Sequence, residues 1–240
     1  MGATKIEFRL RMAMMAAIIW LGFWAPWIEW WGMGRRISLL GWLAAELSRT
    51  GKVLFSQATP IVISIAILVA AVAVVLRVWG TANLGSVTVQ HGEMQAGAVV
   101  ADGPYRYVRN PLYLGSWCVF AAMAFLMPVT GALFAMVLLT AFLLRLILGE
   151  EAFLSGQLGE SYRAYQREVP RLLPRFTTNL QPTGRKPQWL RAVAAETNAI
   201  LVFLILAVLS WRYDNWLMVK AVIVSFGISI IVRGLTLRAT

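Results

Sequence analysis

The residues best suited to chemistry fall in two polar stretches. The first reads Val99-Val100-Ala101-Asp102-Gly103-Pro104-Tyr105-Arg106-Tyr107-Val108-Arg109-Asn110-Pro111-Leu112-Tyr113-Leu114-Gly115. Arg109 and Asn110 stand where this polar loop gives way to an apolar run. A guanidinium and an amide at that depth are costly unless they meet a partner, a ligand or water. The second stretch opens with Glu150-Glu151 and closes with Val169-Pro170-Arg171-Leu172-Leu173-Pro174. Adjacent carboxylates at a membrane boundary repel each other and do not arise from packing alone. They can accept hydrogen bonds from an amine or ribose hydroxyls of a bound molecule, or pair with Arg109 or Arg171.

The elements that must position these groups are apolar and long. Of 240 residues, 59% are hydrophobic and 14% charged, and the mean hydropathy is +0.68. A soluble domain carries roughly a quarter charged residues, and a spanning helix needs about 20 mostly apolar ones. Residues 13–31, 60–76, 112–144, 199–211 and 216–232 are apolar runs of that kind. The run 112–144 is divided by Met127-Pro128-Val129-Thr130-Gly131, and Pro and Gly stop helices. Two antiparallel spans with a tight turn at 128–131 are therefore predicted, and the last two runs form a second hairpin around Asp214-Asn215. This gives an all-α, polytopic membrane bundle of about six spans. Residues 1–59 are read as an N-terminal span and interfacial segment, 60–176 as a core, and 177–240 as a linker and C-terminal hairpin. The first run is too long and Trp-rich for a cleaved leader and is read as retained.

Lys and Arg number 22 against 11 acidic residues. In a bilayer protein that excess orients the chain and meets anionic head groups; it does not point to nucleic acid. With the N-terminus cytoplasmic, sixteen basic residues fall on the cytoplasmic side and six opposite. Both termini, and the polar stretches, are thus expected to be cytoplasmic.

Other polar features have simpler readings. One cysteine, Cys118, allows neither an internal disulfide nor a multi-cysteine metal site, and no metal is expected. The one histidine, His91, lacks metal-ligand neighbours and reads as a loop residue. Asp214 reads as a turn residue. Most of the 11 tryptophans read as interface anchors. Residues 38–47 have the spacing of a helix lying along the interface. Phe153, Leu154, Leu158, Tyr162, Tyr165 and Val169 recur at helical steps, giving an amphipathic helix over the span ends. Tyr105 and Tyr107 serve either as pocket walls or as interface tyrosines, and Tyr162 and Tyr165 as helix packing or pocket lining.

The order Trp79-Gly80, Asn83-Leu84-Gly85, Gly103-Pro104-Tyr105-Arg106, Arg109-Asn110-Pro111-x-Tyr113-x-Gly115, an apolar hairpin, Glu150-Glu151-x-x-Leu154, Gly159-x-x-Tyr162-x-x-Tyr165 and Val169-Pro170-Arg171 resembles the isoprenylcysteine carboxyl methyltransferase and phospholipid methyltransferase superfamily. The resemblance covers roughly residues 77–174. It implies an integral membrane enzyme that uses S-adenosyl-L-methionine to methylate a lipid-like acceptor, such as a prenylcysteine carboxylate or a phospholipid amine, without nucleic acid. Val99, Val100, Gly103, Tyr105, Arg109, Asn110, Pro111, Tyr113, Glu150 and Glu151 would then hold the cofactor, and Arg109, Arg171 and Glu151 would act on the acceptor. The family commonly has histidine where this chain has Asn110, which hydrogen-bonds but exchanges no proton near neutral pH. The pair 199–232 extends beyond the usual core. Two other classes compete: a sterol-reductase-like enzyme using a nicotinamide cofactor, and a lipid carrier or transporter, against which no inverted repeat is found.

Overall fold

The computed structural model describes residues 2–85, 99–177, 180–181, 183–184 and 186–238; His91 lies outside them. Among the described residues eleven α-helices follow in order: α1 Lys5–Arg9, α2 Arg11–Trp24, α3 Trp27–Trp30, α4 Leu39–Arg49, α5 Phe55–Leu84, α6 Pro111–Ala124, α7 Val129–Leu158, α8 Glu160–Glu168, α9 Trp189–Ala195, α10 Thr197–Leu209 and α11 Asn215–Arg238. Short 3-10 turns lie at Gly103–Arg106 and Ser210–Arg212. No strand occurs among the described residues. Four helical segments there are long and apolar enough to cross a membrane: Arg11–Trp30, Phe55–Leu84, Val129–Leu158 and Asn215–Val232. A fifth follows if α9 and α10, bent by 69° at Glu196, count as one span. The remaining segment expected to cross, α6, is a shorter apolar helix of 14 residues.

Several boundaries differ from the sequence expectation. The turn of the central hairpin occupies residues 125–128, three residues earlier than predicted. Pro128, at φ −55, immediately precedes α7, while Thr130 and Gly131 enter the helix. Gly131 is there for contact: a Cβ at that position would run into the carbonyl oxygen of Gly22 on α2. A Cβ on Gly22 would in turn lie 2.8 Å from the Cβ of Ala135. Small residues at a crossing let apolar helices approach when the solvent is lipid. The turn is also tied to the start of α4, because the Leu39 and Leu40 amides donate to the Met127 and Phe125 carbonyls at 2.8 and 2.9 Å.

Both helices that carry the polar motifs run further than their apolar cores. Helix α5 continues to Leu84, so Asn83 belongs to its last turn instead of a loop. Helix α7 is 30 residues long, which places Glu150 and Glu151 on the same rod as the fourth apolar run. The expected amphipathic helix over 153–169 is divided at Gly159, whose φ of +58 favours glycine. Its first part completes α7 and its second is α8. The main core gathers Ile18, Ile19, Met123, Leu139, Leu146, Val202 and Leu206 between α2, α6, α7 and α10.

Candidate functional site

The two polar stretches meet at the common end of α5, α6 and α7. Asn110 precedes Pro111, which opens α6 as the first helical residue, where its missing N–H costs nothing. The Asn110 Nδ2 donates to Glu151 Oε1 at 3.0 Å and to the Arg171 carbonyl at 3.2 Å. The Arg109 guanidinium lies 3.3 Å from the same carboxylate oxygen and donates to the Gln166 carbonyl at 3.0 Å. Arg171 donates to Glu151 Oε2 through Nε and a terminal nitrogen, at 3.0 and 2.8 Å. Glu151 is 4% exposed. A buried carboxylate survives only when paired and hydrogen-bonded, and here both oxygens are engaged. The bond to Glu151 holds the Arg171 pKa above its ordinary value, partly opposed by burial.

Glu150 has a different neighbourhood. The Tyr113 hydroxyl donates to its Oε2 at 2.7 Å. Tyr105, on the Gly103–Arg106 turn, is 7% exposed, and its hydroxyl has no hydrogen-bond partner among the described residues. Burial, then the nearby charge of Glu150, pushes the Tyr105 pKa well above 10.0. This phenol therefore stays protonated and offers a hydrogen bond in an enclosed site. The turn is fixed from both sides: Tyr165 donates to the Tyr105 carbonyl at 2.7 Å, and the position of a Gly103 Cβ is filled by the Asn83 amide. Gly103 has φ +54, so backbone shape and space require glycine together. Burial raises the pKa of Tyr162 and of Tyr165 as well.

Of the residues predicted from sequence, Arg109, Asn110, Glu151 and Arg171 form one bonded cluster, and Tyr113 with Glu150 a second. Val99 packs with Ala101, Tyr162, Tyr165 and Val169 beneath them; Val100 is half-buried outside that group. Tyr162 and Tyr165 thus pack as expected. Sequence reasoning missed another polar cluster. Arg77, one residue past the apolar run of α5, pairs with Glu196 at the α9–α10 bend. Its guanidinium also donates to Ser116 Oγ at 2.6 Å and to the Leu112 carbonyl at 3.3 Å, while Thr81 donates to Glu196 at 2.6 Å. Glu196 is 1% exposed. Gly115 faces the stem of Arg77, whose Cγ lies 2.5 Å from where a Cβ would stand. One signal was available, a lone Glu in the otherwise uncharged run 192–211. Its partner, 119 positions away, has no local spacing to reveal it.

The described residues between 170 and 188 cross this end of the bundle against 82–85 and 99–109, in reverse order. The Arg109 amide donates to the Pro170 carbonyl and the Arg175 amide to the Tyr107 carbonyl, both at 2.9 Å. Arg106 donates to the Leu180 carbonyl at 2.9 Å. Asp102 accepts from Thr183 and from the Gly184 amide, and the Gln188 amide donates to the Ala82 carbonyl at 2.8 Å.

S-Adenosylmethionine presents an ammonium group, ribose hydroxyls and a carboxylate. The carboxylate of Glu150, the unpartnered Tyr105 hydroxyl and the Arg109 guanidinium suit that set of groups. No group of three or more potential metal ligands occurs among the described residues.

Residues 61–161 match the family model described as phospholipid methyltransferase. Over 78 residues the chain is 40% identical to Protein-S-isoprenylcysteine O-methyltransferase of Schizosaccharomyces pombe, covering 32% of this chain and 33% of that protein. Over 70 residues it is 44% identical to Methanethiol S-methyltransferase of Crocosphaera subtropica, covering 29% of this chain and 27% of that protein. The chain thus spans about a third or less of the length of these curated relatives. No solved structure matches it.

Proposed function

We propose that this chain, whose residues 61–161 belong to the phospholipid methyltransferase family of integral membrane methyltransferases, uses S-adenosylmethionine to methylate a lipid-like acceptor. The acceptor is a prenylcysteine carboxylate or a phospholipid amine. The observation that carries this reading is the union of Arg109 and Glu151, 3.3 Å apart, from opposite sides of the central hairpin. The family match favours it over a nicotinamide-dependent reductase and over a lipid carrier.

When bound, the cofactor supplies a methyl group already electrophilic on its sulfonium, so the chain's task is alignment and exclusion of water. Glu150 and Tyr105 are assigned to direct contact with the cofactor, as acceptor and donor. Glu151 is assigned to holding Arg109, Asn110 and Arg171 in register. Val99, Val100, Gly103, Pro111 and Tyr113 complete the walls. A carboxylate acceptor attacks without losing a proton and needs only a guanidinium, from Arg109 or Arg171, to orient it. An amine acceptor must first be neutral, and Glu150 is the group that would take its proton. The site is assigned to the cytoplasmic face by the excess of basic residues on that side.

The test is calorimetric titration of the detergent-purified protein with S-adenosylmethionine, followed by a labelled-methyl assay over total lipid extract. Saturable binding and label in a lipid fraction are expected. A folded protein that fails to bind the cofactor would remove the proposal.

A further inference from the structure

The crossing segment 170–188 has a composition and an outer face that its pairing with 102–109 does not account for. From Val169 to Arg191 the sequence holds five basic residues and no Asp or Glu. Arg171 is committed to Glu151, but Arg175, Lys186 and Arg191 are exposed. Leu173 and Phe176 beside them are each 83% exposed. The segment runs directly into Trp189 and Leu190, which are also exposed, on a helix packed against the membrane-crossing α5. Phe176 ends an aromatic row, Trp79, Tyr107 and Phe176, with ring centroids 6.2 Å apart at each step. Large apolar side chains interleaved with cations, at the level where crossing helices end, match a head-group boundary in which the apolar groups enter the acyl region and the cations meet phosphates.

We propose that the described residues between 170 and 191 form a strap that docks on anionic lipid of the leaflet on its own side: Leu173 and Phe176 enter the acyl boundary, and Arg175, Lys186 and Arg191 sit on the head groups. Docking presses the same strap whose Pro170 carbonyl holds the Arg109 amide and whose Arg171 side chain clamps Glu151. Anionic lipid therefore steadies the Glu151 cluster. The consequence for methyl transfer rests on the function proposed above; the docking itself does not.

The experiment reads hydrogen exchange of the Leu172, Leu173 and Phe176 amides in nanodiscs of phosphatidylcholine, with and without phosphatidylglycerol, in the absence of cofactor and acceptor. Cations near a membrane surface are drawn to anionic head groups, so exchange at least about tenfold slower in the anionic discs is expected at low salt. High salt, or the triple variant Arg175→Gln, Lys186→Gln, Arg191→Gln, should abolish the difference. Equal exchange in the two discs, or a difference that survives in the triple variant, overturns the proposal. A second arm adds S-adenosylmethionine and, in turn, phosphatidylethanolamine or a prenylcysteine to the same discs and measures methyl transfer. Protection by anionic lipid with no methyl transfer in either disc would sink the functional reading alone and leave the strap standing.

Discussion

The side-chain amide of Asn110 donates to the carboxylate of Glu151 across 41 positions of sequence and the whole of the central hairpin. It also donates to the Arg171 carbonyl, so one amide joins three segments of the chain. Asn110→Leu leaves a buried carboxylate short of a donor, at a cost of about 1–3 kcal/mol. A ten- to hundredfold loss of cofactor affinity is expected by calorimetry. Asn110→His retains one N–H and should bind within about threefold of the parent, since one good hydrogen bond to the charged oxygen carries most of the stabilisation. Loss of binding in the histidine variant would contradict this.

Glu151→Ala strands the guanidinium groups of Arg109 and Arg171 and should abolish cofactor binding, as should Arg109→Ala. Both proteins should still elute as folded particles, because the main core lies elsewhere. Unchanged affinity in both variants would dissolve the proposed site.

Removing one partner of the Arg77–Glu196 pair leaves an uncompensated charge in an apolar bundle. Glu196→Leu should lower stability by about 3–5 kcal/mol. The double variant Arg77→Met, Glu196→Leu should recover most of the loss, since a well-packed apolar pair replaces the ions. Denaturation in mild detergent measures both. A double variant no more stable than the single one would show that the pair's neighbours, Thr81 and Ser116, carry the effect.

Two glycines of α7 should respond oppositely to alanine. Gly131→Ala drives a methyl into the Gly22 carbonyl and must push α2 aside, whereas Gly156 has open space around its added carbon. Gly156→Ala should therefore stabilise by up to about 1 kcal/mol, and Gly131→Ala should destabilise. Thermal unfolding of the two variants side by side decides it.

Tyr105 is held protonated in the folded state, with its pKa above the ordinary 10.0. The protonated phenol costs the fold nothing below that value. As pH rises past it the unfolded chain releases the proton while the folded chain retains it, so stability falls. The melting temperature should decline above about pH 10, and Tyr105→Phe should flatten the decline. An identical slope in the variant would show that Tyr162 and Tyr165, whose pKa values are also raised, govern the alkaline limb.

Much of the bundle was legible because apolar length is a one-dimensional property. The runs at 60–76 and 112–144 become α5, α6 and part of α7. Helix ends were less legible, because polar residues continue a helix wherever a neighbour satisfies them. Asn83 does not end its helix: its amide donates to the Trp79 carbonyl one turn back at 2.8 Å and keeps α5 going. The meeting of Arg109, Asn110, Glu151 and Arg171 could be anticipated because the motifs flank a hairpin that must bring them together. Arg77 and Glu196 belong to different apolar pairs, and only the three-dimensional bend at residue 196 makes them neighbours.

That bend has a consequence for biosynthesis. Residues leave the ribosome in order, so Arg77 reaches the bilayer 119 positions before the acid that neutralises it. In the interval a guanidinium near the end of an apolar helix is best kept at the head groups, and α5 is expected to ride shallower than in the finished protein. Synthesis of Glu196 should then draw α5 to its final depth. Ribosome-arrested chains ending before and after residue 196, probed by glycosylation mapping, should report two depths for the same helix.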